Sequence, residues 1–231
     1  MNPEVRRRAG EAWAFRSRVE QDAARRFRRL SGVISGFDAG SPVPELLQRA
    51  AEDEVRHAAL CKALAESYGH AAFDAVPEHP IAPSSLDARA AALYEMVAAC
   101  CITETESMAT LATLLAEDAE APVANVLREI ARDEVAHGQM GWAHLAREAE
   151  RTGVAFLSRF IPSMLAGAAA EGLFSVADAE AESPELLRHG VLPHSTKKRI
   201  FVGTLEGVIL PGLDRFGIDT RPAQAWLQER L

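Results

Sequence analysis

The sequence predicts an all-α protein: a four-helix bundle with one long crossover, followed by a C-terminal helical extension. Two observations carry this. Ala, Leu, Glu and Arg dominate and period-two alternation never runs far, so strand signals are nearly absent. Four long helical stretches are separated by short, long and short connections, the order of two hairpins joined by a crossover.

The elements follow from their punctuation. A first helix runs from Pro3 to about Leu30 and is expected to stop at Ser31-Gly32, ahead of a Ser-Gly-Phe-Asp-Ala-Gly-Ser-Pro turn. Pro44 fits the first turn of a second helix, where its missing N–H costs nothing, and that helix runs to about Tyr68-Gly69. A connection holding Pro77, Pro80 and Pro83 is long enough to cross a bundle end. Ser84 or Ser85 caps a third helix that reaches about Glu117, and Pro122 opens a fourth that runs towards Arg151.

Beyond Gly153, helices are expected from Val154 to Gly172, after Ser183-Pro184, and from Ser195 to Leu210, where Pro211-Gly212 ends the last. Residues 1–152 read as the bundle. Residues 153–231 read as an extension packed on it in the same domain, because no polar linker divides them.

Composition narrows the function. The chain has 231 residues, 48% apolar and 25% charged, the balance of a soluble globular protein with a substantial core. A net charge of −8 disfavours nucleic acid as a partner. Nine arginines nevertheless fall in the first thirty residues, and they read as a solvated helix face. The most apolar tract, Val154 to Phe174, is broken by Arg159, Pro162 and Glu171, so no membrane span is expected. Cys61, Cys100 and Cys101 form no CxxC and no disulfide framework, and a reducing cytoplasm fits them.

The chemistry lies in a near-duplicate: Asp53-Glu54-Val55-Arg56-His57 recurs as Asp133-Glu134-Val135-Ala136-His137. On a helix, positions i and i+3 share a face, so each copy presents a carboxylate and an imidazole together. Two such units, with one lone Glu from each of the other two helices, are the ligand plan of a di-iron site in a bundle. On the first helix Glu20 sits on an apolar stripe with Trp13, Ala24 and Phe27. On the third, Glu104 lines up with Val97, Cys100, Met108 and Leu111, whereas Glu106 shares a wetter face with three threonines.

The expected metal ligands are therefore Glu20, Glu54, His57, Glu104, Glu134 and His137. Buried carboxylates are costly unless paired or metal-bound. A carboxylate-dominated set suits iron or manganese better than zinc. His144, seven residues after His137, reads as a part-buried or surface histidine, Glu171 and Glu206 as solvent-contacting or capping residues, and Cys100 and Cys101 as small core residues.

These residues resemble the ferritin-like di-iron carboxylate proteins: ferritins, rubrerythrins, ribonucleotide reductase small subunits, and di-iron oxygenases and desaturases. The resemblance covers about Ala12 to Ala149, and its Asp-Glu-x-Arg-His form is especially similar to di-iron monooxygenase hydroxylases. It implies that Asp53, Arg56 and Asp133 orient the ligating histidines, and we expect each Asp to brace the histidine of the opposite hairpin. The second copy has Ala136 where the first has Arg56.

The resemblance implies two Fe ions, and a mixed Mn/Fe pair takes the same ligands. It points first to an O2-dependent oxidase or monooxygenase acting on a small organic substrate, with an external electron donor and a homodimer as family-level expectations. The alternatives are a ferroxidase or rubrerythrin-like peroxide-scavenging protein, and a tRNA-modifying hydroxylase.

Overall fold

The computed structural model describes residues 1–38, 40–73, 77, 79–175 and 183–231. Four long helices come first: α1 (Pro3–Phe37), α2 (Val43–Ser67), α3 (88–115) and α4 (Ala121–Arg151). Next come a 3₁₀ turn (Ala155–Phe160), α5 (Ile161–Ala168), α6 (Pro184–Arg188), α7 (194–215) and α8 (Arg221–Gln228). No strand occurs among the described residues, and none of their helices is long and apolar enough to cross a membrane.

The chain divides into two compact units. Unit 1 comprises Met1–Pro83, Leu111–Asp133 and Ser183–Pro193; unit 2 comprises Ser84–Thr110, Glu134–Glu182 and His194–Leu231. The dividing lines thus fall within α3 and α4.

Unit 1 is organised by the α1–α2 hairpin. Asn2 caps α1 by accepting from the Glu4 N–H at 2.8 Å, with Pro3 in the first turn. Three side-chain bonds set an antiparallel register along the pair: Arg6 donates to the Tyr68 carbonyl, Ser17 to Ala58 and Ser31 to Pro44. Gly69, at φ +82°, closes α2: His70 N–H reaches Ala65 O and Gly69 N–H reaches Glu66 O, the paired bonds of a Schellman end.

The expected stop of α1 at Ser31-Gly32 does not occur; the helix continues to Phe37. Ile34 extends the buried stripe of Phe27 and Leu30, and Ser31 is tied to α2. Burial and this bond outweigh the weak local preference of Ser and Gly against helix.

In unit 2, the start of α3 runs antiparallel to the end of α4, with Arg89 on Glu148 and Cys100 against Gly141. The cap of α3 is Asp87, which accepts from Ala90 N–H, rather than Ser84 or Ser85. A π-helical segment, Val97–Thr103, interrupts α3 immediately before Glu104, and Thr103 Oγ1 donates five residues back to Ala98 O.

Two expectations for the C-terminal third are corrected. Val154 to Gly172 is not one helix but a 3₁₀ turn followed by α5, with Pro162 in the first turn of α5. Pro211-Gly212 does not end α7, which continues to Arg215. A second π-helical segment, Leu205–Ile209, precedes Pro211; its wider turn accommodates a residue that lacks an N–H and clashes with a regular preceding turn. Gly212 continues the helix because it packs on Trp142, whose ring atoms lie 2.6–2.8 Å from where a Cβ would stand.

Candidate metal centre

In unit 1, Glu20 is carried on the buried stripe of α1, between Ser17 and Ala24, and is 9% exposed. Glu54 and His57 project from the buried face of α2, both with no exposed surface. The hydrogen bond from Ser17 to the Ala58 carbonyl holds the two helices in register at this level. One ligand atom from each of Glu20, Glu54 and His57 lies within 4.8 Å of the others.

The imidazole of His57 is held from both sides. Its Nδ1 lies 3.1 Å from Glu54 Oε2, and its Nε2 lies 3.1 Å from Asp133 Oδ2. Burial pushes the Asp133 carboxyl up, but hydrogen bonds from Arg132, His57 and Arg56 outweigh it and hold the group at about 2. An ionised carboxylate only accepts, so His57 donates its Nε2–H to Asp133, which leaves Nδ1, on the Glu54 side, as the ring nitrogen that would take a metal.

Arg56 spans two carboxylates, donating to Asp53 Oδ1 at 2.9 Å and to Asp133 Oδ2. Arg132 Nε adds a bond to Asp133 Oδ1 at 3.2 Å. Asp133 thus contacts the His57 imidazole, with Arg56 as its companion, whereas Asp53 contacts Arg56. Sequence reasoning missed Arg132; its position directly before Asp133 was the available signal.

In unit 2, Glu104 emerges at the end of the π-helical segment, and Glu134 and His137 lie one turn apart on α4. All three are buried, and their ligand atoms lie within 4.8 Å of one another. His137 Nδ1 lies 3.2 Å from Glu134 Oε2, matching the His57–Glu54 geometry. Glu106 stays part-exposed and accepts from Thr110, which separates it from Glu104 as the face argument anticipates.

The buried stripe of α4 continues beyond the triad through Gly141 and His144 to Glu148. His144 is fully buried, not at the surface, and Glu95 and Glu148 are buried carboxylates that sequence reasoning missed. The spacing i, i+3, i+7, i+10, i+14 from Glu134 was the signal. Glu148 is bound by Arg89 Nη1 through both its oxygens, at 2.8 and 2.9 Å. Glu171 and Glu206 are exposed.

The donor chemistry fits a metal in each unit. Each triad offers two carboxylates and one imidazole in a water-poor setting, and one divalent cation would balance its two negative charges. Oxygen-rich sets of this kind suit iron or manganese.

An all-helical chain carrying two Glu, Glu, His triads, each with its Glu-x-x-His pair on one helix face, is of the carboxylate-ligated di-metal class. The chain matches the rubrerythrin family model over residues 14–145, a span that takes in both triads, and it belongs to that family, within the ferritin-like superfamily of di-iron carboxylate proteins. No curated protein and no solved structure matches the chain.

Proposed function

We propose that this protein is a di-iron oxidoreductase that reduces O2 or a peroxide, with Glu20, Glu54, His57, Glu104, Glu134 and His137 holding two irons. The observation that carries this reading is the repeated triad, buried in each unit and matched in its histidine geometry. Iron bound there would supply the redox equivalents and open coordination positions that such chemistry needs.

The remaining work falls to the chain. Asp133 keeps His57 in the metal-binding tautomer, and Arg56 and Arg132 keep Asp133 ionised. The apolar stripes on either side of Glu20 exclude water from the carboxylates.

Two uses of that chemistry are supported by different observations. The Asp-Glu-x-Arg-His form supports O2-dependent oxidation of a small organic substrate, and the π-helical segment beside Glu104 adds to it, since such segments recur at functional sites. Membership of the rubrerythrin family supports peroxide reduction or Fe(II) oxidation at least as well.

The deciding experiment feeds the iron-loaded, reduced protein limiting O2 or limiting H2O2 and measures the rate of reoxidation by stopped-flow absorbance. Reoxidation at least about tenfold faster with H2O2 assigns peroxide reduction. Faster reaction with O2, accelerated further by an organic substrate, assigns the oxidase. Reoxidation by neither, at a rate above that of free iron, would remove both.

A further inference from the structure

The solvent-facing side of α1 exposes apolar side chains beside an arginine. Phe15 is 50% exposed and Val19 37% exposed, one turn apart on the solvent side of α1. Phe73, 41% exposed, comes back alongside. The guanidinium of Arg18 lies between the two phenylalanines, 5.1 Å from the Phe15 ring and 5.5 Å from the Phe73 ring. Exposed aromatics around an arginine are the composition of a binding surface, not of an ordinary solvated helix.

The charge of this helix identifies the partner's chemistry. Its first thirty residues carry nine Arg against Glu4, Glu11, Glu20 and Asp22. The surface acids are already matched within the helix: Arg7 and Arg8 on Glu4, Arg7 on Glu11, and Arg25 on Asp22. Arg16 and Arg18, by contrast, contact rings and make no ion pair among the described residues. Because the whole chain is −8, the rest of the molecule is strongly acidic and this stripe is a local positive field. Two copies of the stripe face to face would oppose like charges, which disfavours a symmetric self-contact.

We propose that Phe15, Arg18, Val19 and Phe73 form the docking surface for a small acidic electron-carrier protein. This rests on the oxidoreductase reading above, which requires reducing equivalents from outside. Converting O2 and an organic R–H to R–OH and water takes two electrons and two protons, and converting H2O2 to two waters takes the same. Two singly reduced carriers are then oxidised per turnover. The site suits the carrier: Glu20 lies on the same helix, a cylinder about 10 Å across. Electron-transfer encounters are also small, burying under about 1,200 Å² in total, so one arginine and three apolar side chains can dominate the contact.

The test is calorimetric titration of an oxidised plant-type [2Fe–2S] ferredoxin, a small acidic carrier, into the iron-loaded 231-residue chain at low and high salt. Binding that weakens with salt, with affinity cut about tenfold or more by Arg18→Glu and by Phe15→Ser, is the expected result. Equal binding by the Arg18→Glu variant, no binding by the wild type, or displacement of the ferredoxin by a single-stranded RNA would overturn the proposal. So would a wild-type dimer that Arg18→Glu dissociates. Arg18 is part-exposed and packs on the Phe15 and Phe73 rings, and unchanged circular dichroism checks that the variant folds.

A second readout separates this proposal from the function it rests on. With iron loaded, O2 or H2O2 consumption is driven either by the ferredoxin or by reduced methyl viologen, which needs no docking surface. Loss of the ferredoxin-driven rate alone in Arg18→Glu supports the surface. Failure of the wild type with viologen counts against the oxidoreductase reading and leaves the binding result standing on its own.

Discussion

Gly141 of α4 and Cys100 of α3 meet with no space between them. A methyl group on Gly141 would lie 2.2 Å from Cys100 Cβ and 3.1 Å from its carbonyl carbon. Cys100 lies in the π-helical segment, four residues before Glu104, and Gly141 follows His137 by four. This contact therefore fixes how α3 presents Glu104 beside Glu134 and His137.

Gly141→Ala should overpack this contact and cost about 1–3 kcal/mol in urea unfolding. Because the neighbouring Cβ is the closest clash, adding Cys100→Gly should recover part of the loss. Single and double variants with equal losses would show that the approach is not what positions α3.

Arg89 and Glu148 join the start of α3 to the end of α4, and Glu148 is fully buried while Arg89 is about a quarter exposed. Removing the cation leaves a buried carboxylate without that partner, so Arg89→Ala should destabilise by about 3 kcal/mol. The Arg89→Leu/Glu148→Leu double variant should lose much less, since an apolar pair avoids the stranded charge. Thermal unfolding of the three proteins makes the comparison.

Asp133 orients His57 while taking bonds from Arg56 and Arg132. Asp133→Asn keeps the shape but offers His57 a weaker acceptor and releases both arginines. Iron affinity should fall about 10- to 100-fold, with the fold intact by circular dichroism. Arg56→Ala should do less, because Arg132 still holds Asp133. Competition with a chromogenic chelator reads both.

All three cysteines are buried, and burial alone pushes the Cys101 thiol well above its ordinary range. The native protein should react with a thiol reagent such as DTNB only slowly, and should release three equivalents once unfolded in guanidinium. Rapid labelling of the native chain would contradict this packing.

Much of this site was legible because ligand chemistry imposes spacing. Glu-x-x-His on a helix face, twice, with Glu20 and Glu104 on apolar stripes, needs no tertiary information. The order of the four long helices was legible too, from Pro3, Pro44 and Pro122 at their starts and Gly69 and Gly153 at two of their ends.

What the sequence hid depends on tertiary contact. The extra turns of α1 form because Ile34 is buried, which local Ser and Gly preferences cannot reveal. Both π-helical segments are invisible to a 3.6-residue period, and one of them carries α7 through Pro211. The burial of Glu95 and Glu148, and the pairing of Glu148 with Arg89, arise from packing that the local sequence does not mark.

The most direct measurement is metal stoichiometry after anaerobic Fe(II) loading and desalting, on the wild type and Glu134→Ala. The account predicts about two irons per wild-type chain and one or none in the variant. A wild type that retains no iron, or a variant that still holds two, would contradict it.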